Sequence, residues 1–142
     1  MVGAGKDEIT VPGVEVENLR WSLEREVQDF QSLDIGLYPI DASLYSGKWA
    51  AGKSGFKAIQ YMAVGVPYVA TPVGAAEELG EVGVTHFFAS SPEEWRKALA
   101  ELIVNADKRK QMGAAGRWHV TKNFALPAQA DKLAAVLREA AG

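Results

Sequence analysis

Cysteine is absent from the 142-residue chain, which excludes disulfides, thiolate metal sites and thiol chemistry. Histidine is scarce. His86 and His119 stand far apart, without a partner at ligand spacing, so neither is assigned as a base or a metal ligand, and no metal or cofactor is expected. No apolar run approaches the roughly 20 residues that span a bilayer. Met1 to Gly5 has no basic stretch leading an apolar one, so a signal peptide is not expected. An excess of positive charge is missing too. The formal net charge of −3 argues against a nucleic-acid partner, because phosphate binding wants a net basic face. Internal repeats and low-complexity segments are likewise lacking. What remains is 48% hydrophobic and 23% charged, enough for a core and a solvated surface. The expectation is one cytoplasmic α/β domain over residues 1–142.

Along the chain, short apolar runs alternate with helical patterns. Val14 to Leu19 reads as a strand after the Pro12-Gly13 turn, and Ser22 to Phe30 as a helix with Leu23, Val27 and Phe30 on one face. Ile35 to Tyr38 is a short buried strand closed by Pro39. Residues 39–53 form a loop longer than about 12 residues, a length that is often functional. A helix from Ser54 to Val64 stops at Gly65, with Pro67 beyond it. Tyr68 to Thr71 is the next strand, followed by the Pro72-Val73-Gly74 turn and a short acidic helix around Glu77 and Glu78. His86 to Ala89 is the last strand. Ser91, Pro92 and Glu94 spell an N-cap, a first-turn proline and a capping-box partner. Trp95, Leu99 and Leu102 form the stripe behind that cap. Helices over about 107–141 complete the chain, one presenting Met112, Gly116 and Val120, the next Leu133, Val136 and Leu137. Alternating strands and helices imply a doubly wound, mainly parallel sheet. Ligands of such sheets bind outside the carboxyl ends of the strands, where the 39–53 loop and the Pro72–Gly74 turn lie.

The most informative stretch runs from Gly52 to Gly74. A Gly/Lys/Ser loop opens a helix, a strand follows, and a glycine-bearing turn opens the next helix. Unpaired N–H groups at a helix start, a nearby ammonium and glycines without a Cβ make an anion site. Lys53 ends the loop, Ser54 and Gly55 enter the helix, and Lys57 lies about one turn inside. Gln60, three residues on, carries an amide able to reach a sugar hydroxyl.

Residues 52 to 74 closely resemble a phrase of the retaining GT-B glycosyltransferases of the family four type, in which "GK-x-GFK" leads through "YMA-x-G-x-P" to "PVG". The likeness extends more weakly from Val14 to Phe124, through Asp34-Ile35-Gly36-Leu37-Tyr38-Pro39 and Ser91-Pro92-Glu93-Glu94-Trp95. The resemblance implies a Rossmann-like C-terminal half that binds a nucleotide-diphosphate sugar. It implies that Lys53 contacts the diphosphate, that Lys57 neutralises it or supports the loop, and that Gly74 lets the following helix approach the pyrophosphate. Gln60 occupies the second glutamate of the family's E-x7-E pattern, a ribose contact, whereas the first glutamate is replaced by Gly52. Glu78 is the candidate for a donor-sugar hydroxyl, and Trp21 for stacking on the nucleobase. No metal is implied, since lysine and helix dipoles stabilise the leaving diphosphate.

The same comparison implies an N-terminal acceptor domain beyond this chain. It also aligns Val2 to Gly5 with the end of the second strand, so that the chain either leaves an unfilled slot in its sheet or fills it by pairing with a second copy as a homodimer. Two other readings compete. One is a non-catalytic nucleotide- or anion-binding module. The other is a phosphate-loop triphosphatase, since Gly47 to Ser54 matches that pattern formally. Asp41 to Ser46 makes a poor strand for such a loop, and no apolar strand ends in a magnesium-binding aspartate. Trp95 and Trp118 read as structural, and Trp49 as a loop residue.

Overall fold

The computed structural model of the protein describes residues 8–40 and 52–142. Its centre is a parallel sheet of three strands, β1 (Gly36–Tyr38), β2 (Tyr68–Ala70) and β3 (His86–Phe88), in that spatial order. Gly36 pairs with Tyr68, and Tyr68 with His86, so the three strands begin in register. Parallel neighbours require a crossover, and the first is a helix of residues Phe56–Val64. With the earlier helix α1 (Glu26–Gln31), this crossover helix is α2. A 3-10 turn, Gly74–Glu78, lies in the second crossover. Three helices follow: α3 (Pro92–Val104), α4 (Ala106–Asn123) and α5 (Leu126–Ala141).

Side chains alternate across a strand, and here the alternation divides two cores. Tyr68 and Ala70 face one side, with Phe30, Ala58, Tyr61, Met62 and Val120. Val69 faces the other, with Ala98, Leu102 and Met112. Helices thus cover both faces: α1 and α2 on one, α3 on the other, with α4 reaching both. The sheet is doubly wound, as the sequence pattern predicts.

Local chemistry explains the element ends. Gly65 sits at φ +77, its N–H bonded to the Met62 carbonyl and that of Val66 to Tyr61, which is the Schellman closure of α2. The α3 capping box forms as expected, with Ser91 Oγ accepting from Glu94 N–H and the Glu94 carboxylate accepting from Ser91 N–H. Two arginines of α4 satisfy carbonyls at the ends of two other helices. Arg117 donates to Ala63 at 2.7 Å, and Arg109 donates to Leu102 and Ile103.

Four expectations are corrected. The strand over Val14 to Leu19 does not form: Val14 makes one isolated bridge to Val11 around Pro12-Gly13, and residues 15–18 enter no ladder. Asn18 instead clamps the backbone of Ile9 through both amide atoms, a local bond that competes with strand pairing. The helix over Ser22 to Phe30 starts only at Glu26, and of its stripe Phe30 alone is buried, Leu23 and Val27 lying exposed. Leu133, Val136 and Leu137 of α5 are exposed as well, because no residue of that helix is buried against this chain. Trp118 is exposed, its ring lying 4.8 Å from the Lys122 ammonium rather than in a core. The readings on Val2 to Gly5, on Trp49 and on most of the 39–53 loop fall outside the described residues.

Candidate functional site

The carboxyl ends of β1 and β2 are tied together. Thr71 N–H donates to the Tyr38 carbonyl, and Ile40 N–H to Thr71 Oγ1, each at 3.1 Å. Just beyond them the two glycine segments meet. Ala75 N–H donates to the Lys53 carbonyl at 3.2 Å, joining the loop before α2 to the turn after β2. Gly55 is the N-cap of α2 at φ +67, and Gly74 opens its turn at φ +61. A Cβ on Gly55 would fall 2.6 Å from Leu79 Cδ1 and 3.3 Å from Ala76 N. Only glycine permits both that backbone and that approach. Lys53, Ser54, Gly55 and Gly74 are therefore brought to one rim.

Among the described residues no side chain caps the start of α2 and no acid sits in its first turn, so the positive end of the helix is uncompensated from within. The starts of α3 and α4 are closed by Ser91 with Glu94 and by Asn105.

Lys57 and Gln60 occupy a different side of α2, turned to α1. The Lys57 ammonium lies 4.8 Å over the Phe30 ring, and Gln60 Nε2 donates to Glu26 Oε1 at 2.9 Å. Trp21 precedes α1 and is exposed, as is Glu78 on the 3-10 turn. Among the described residues, no group of three or more His, Asp or Glu side chains is placed to hold a metal. No described helix is long and apolar enough to cross a membrane.

Sequence reasoning passed over several contacts that frame this region. Glu26 looks like one more acid on a solvated helix, and nothing local announces its partner 34 positions away. Tyr61 donates its hydroxyl to the Leu37 carbonyl at 3.0 Å. Its ring lies where a Cβ on Gly36 would come within 2.6 Å, so Gly36 is the space that admits it. The spacing of Phe30, Tyr61 and Tyr68 gave no hint of the ring row they form, with centroids 5.3 and 6.0 Å apart. Burial pushes the Tyr61 phenol up from the ordinary tyrosine value, partly offset by its bond to Leu37, and pushes the Tyr68 phenol up much further.

With this geometry in place, likenesses to known proteins acquire meaning. The family described as glycosyl transferases group 1 matches residues 2–105. An alpha-1,3/1,6-mannosyltransferase of Rhizomucor pusillus is 34% identical over 88 residues, covering 60% of this chain and 19% of that protein. The Anabaena protein HepE, solved in complex with UDP-glucose, superposes with a TM-score of 0.69 at 21% identity, over 87% of this chain and 32% of its own. The C-terminal domain of a group 1 glycosyl transferase from Francisella tularensis superposes with a TM-score of 0.57 at 20% identity, over 77% and 54%. The chain spans less than two thirds of the length of each of these proteins.

Proposed function

The chain belongs to the group 1 glycosyl transferases, and on that premise we propose that residues 1–142 form one domain binding the nucleotide-diphosphate sugar of a retaining transferase. The observation that carries the reading is the bond from Ala75 N–H to the Lys53 carbonyl, which seats two glycine segments and an uncapped helix start at the strand ends. In this reading the diphosphate lies against that helix start, with Gly55 and Gly74 allowing close approach. Lys53 and the backbone dipole hold the negative charge that grows on the leaving diphosphate. Trp21 offers a face for the nucleobase, and Glu78 a carboxylate for a sugar hydroxyl. An acceptor-binding domain completes the cleft in which transfer occurs.

Titration calorimetry with UDP-glucose, GDP-mannose and magnesium ATP tests this. One of the nucleotide sugars binds, and Lys53→Ala weakens it about tenfold or more, the scale of a charge-assisted bond worth about 1.5–3 kcal/mol. Magnesium-dependent binding of ATP with no binding of either sugar nucleotide defeats the reading.

A further inference from the structure

Alone among the described α-helices, α5 has no buried residue. From Asp131 to Gly142 only Ala134 is even partly covered. A helix of this length is marginal in water by itself, and proteins stabilise such helices by packing an amphipathic face. That face is present. Leu126, Ala130, Leu133, Leu137 and Ala140 follow one another alternately four and three residues apart, the spacing of a coiled-coil seam. Leu126, Leu133 and Leu137 are 81%, 59% and 59% exposed. With about 3.6 residues per turn, Asp131, Lys132, Arg138 and Glu139 all fall on the opposite side. Covering the seam therefore strips water from no charged group.

We infer that α5 pairs with α5 of a second copy of this chain, antiparallel about a two-fold axis beside Ala135. In that register Leu133 meets the partner's Leu137, and Ala130 the partner's Ala140. Each contact then occurs twice, as a two-fold interface requires. The position of the folded body decides the direction. It joins α5 at the Leu126 end, so a parallel pair would drive two bodies together. Antiparallel packing sets them about 24 Å apart, at about 1.5 Å per residue, and opposes the helix dipoles. Charge fits as well. One flank of the seam carries Lys132 and Glu139, the other Asp131 and Arg138. The two-fold axis brings each base to the side of the partner's acid, so no flank repels its copy. The same balance argues against a lipid surface, whose amphipathic helices are rich in lysine and arginine on the polar face. Two such seams together bury on the order of 1,000 Å², the lower end for a specific interface. The pairing is accordingly weak, with a Kd of roughly 10–100 µM. It stands independently of donor binding.

Sedimentation equilibrium of the full chain, from about 5 to about 500 µM, measures the association. The wild-type chain passes from monomer to dimer across that range. Leu133→Asp with Leu137→Asp weakens the association at least about tenfold, because four carboxylates would have to enter the seam. The melting midpoint at the lowest concentration stays put, since neither leucine belongs to a core. The absence of cysteine lets the register be read directly. Under a mild oxidant, Ala130→Cys mixed with Ala140→Cys gives a disulfide-linked pair, whereas neither variant alone does. A monomer throughout the range overturns the inference, whether or not vesicles of phosphatidylcholine and phosphatidylglycerol then retain the chain. A dimer that survives both aspartates overturns it too, and so does Ala130→Cys linking to itself.

Discussion

His86 shows how much a single side chain is governed by its surroundings. It is 1% exposed, stacked on Tyr68 with centroids 4.9 Å apart and edge-on to Phe88 at 4.5 Å. Nδ1 lies 2.9 Å from Thr85 Oγ1, and Nε2 has no partner among the described residues. Burial, with a smaller contribution from His119, lowers its pKa to about 4. In the unfolded chain the ring takes up its proton near the usual value of about 6.5. Between the two values the unfolded state binds more protons, so stability is complete above about pH 6.5 and drains away as pH falls towards 4. The loss reaches up to about 3 kcal/mol, from about 1.4 kcal/mol per pKa unit. Urea denaturation from about pH 7.5 to about pH 4 should show that slope, and His86→Phe should flatten it. At this scale the sequence showed an isolated histidine leading a strand, which was right. Its burial depends on Tyr68 and Thr85, and on rings that no local pattern joins to it. Lys53, Gly55 and Gly74 were legible as a rim because they are close in sequence to the turns that place them. Glu26 was not, because its meaning comes from Gln60.

At the scale of elements, helices with a cap written beside them were the easiest to read. Ser91, Pro92 and Glu94 act within one turn, so the start of α3 needs no tertiary context. Gly65 ends α2 for the same reason. The strand expected over Val14 to Leu19 failed because only its two end residues are bridged, and between them Asn18 is bonded to Ile9 instead. The contact between α2 and α4 lies between these cases. Gly116 stood on the expected face, yet Gly113 matters more: a Cβ there would lie 2.0 Å from the Gly65 carbonyl oxygen, against 3.0 Å from Met62 Cγ for Gly116. The Gly65 backbone cannot move aside, whereas at Gly116 the Met62 side chain need shift only slightly. Gly113→Ala should therefore cost roughly 2–3 kcal/mol and Gly116→Ala clearly less, measured by chemical denaturation of the two variants side by side.

For the molecule as a whole, the distribution of burial is uneven. The two cores flank the sheet and end with Val120 and Phe124 of the α4 region. Beyond them α5 presents Leu126, Leu133, Val136 and Leu137 to solvent and has no fully buried residue. Removing residues 126–142 should lower the unfolding free energy by less than about 1 kcal/mol, since stabilisation follows apolar area removed from water. A urea titration of the shortened chain checks this, and a large loss would mean that α5 is held by contacts the described residues do not include.

The order of elements, the parallel winding, the capped helix ends and the glycine-lined rim follow from residues within a few positions of one another, where propensity, capping and backbone sterics act directly on the chain. Which side of α2 meets α1, why Gly36 and Gly113 admit no side chain, and how Glu26 comes to hold Gln60 arise between segments far apart along the chain. Those relations are set by packing in three dimensions, because a contact energy depends on distance in space and a sequence records only distance along the chain.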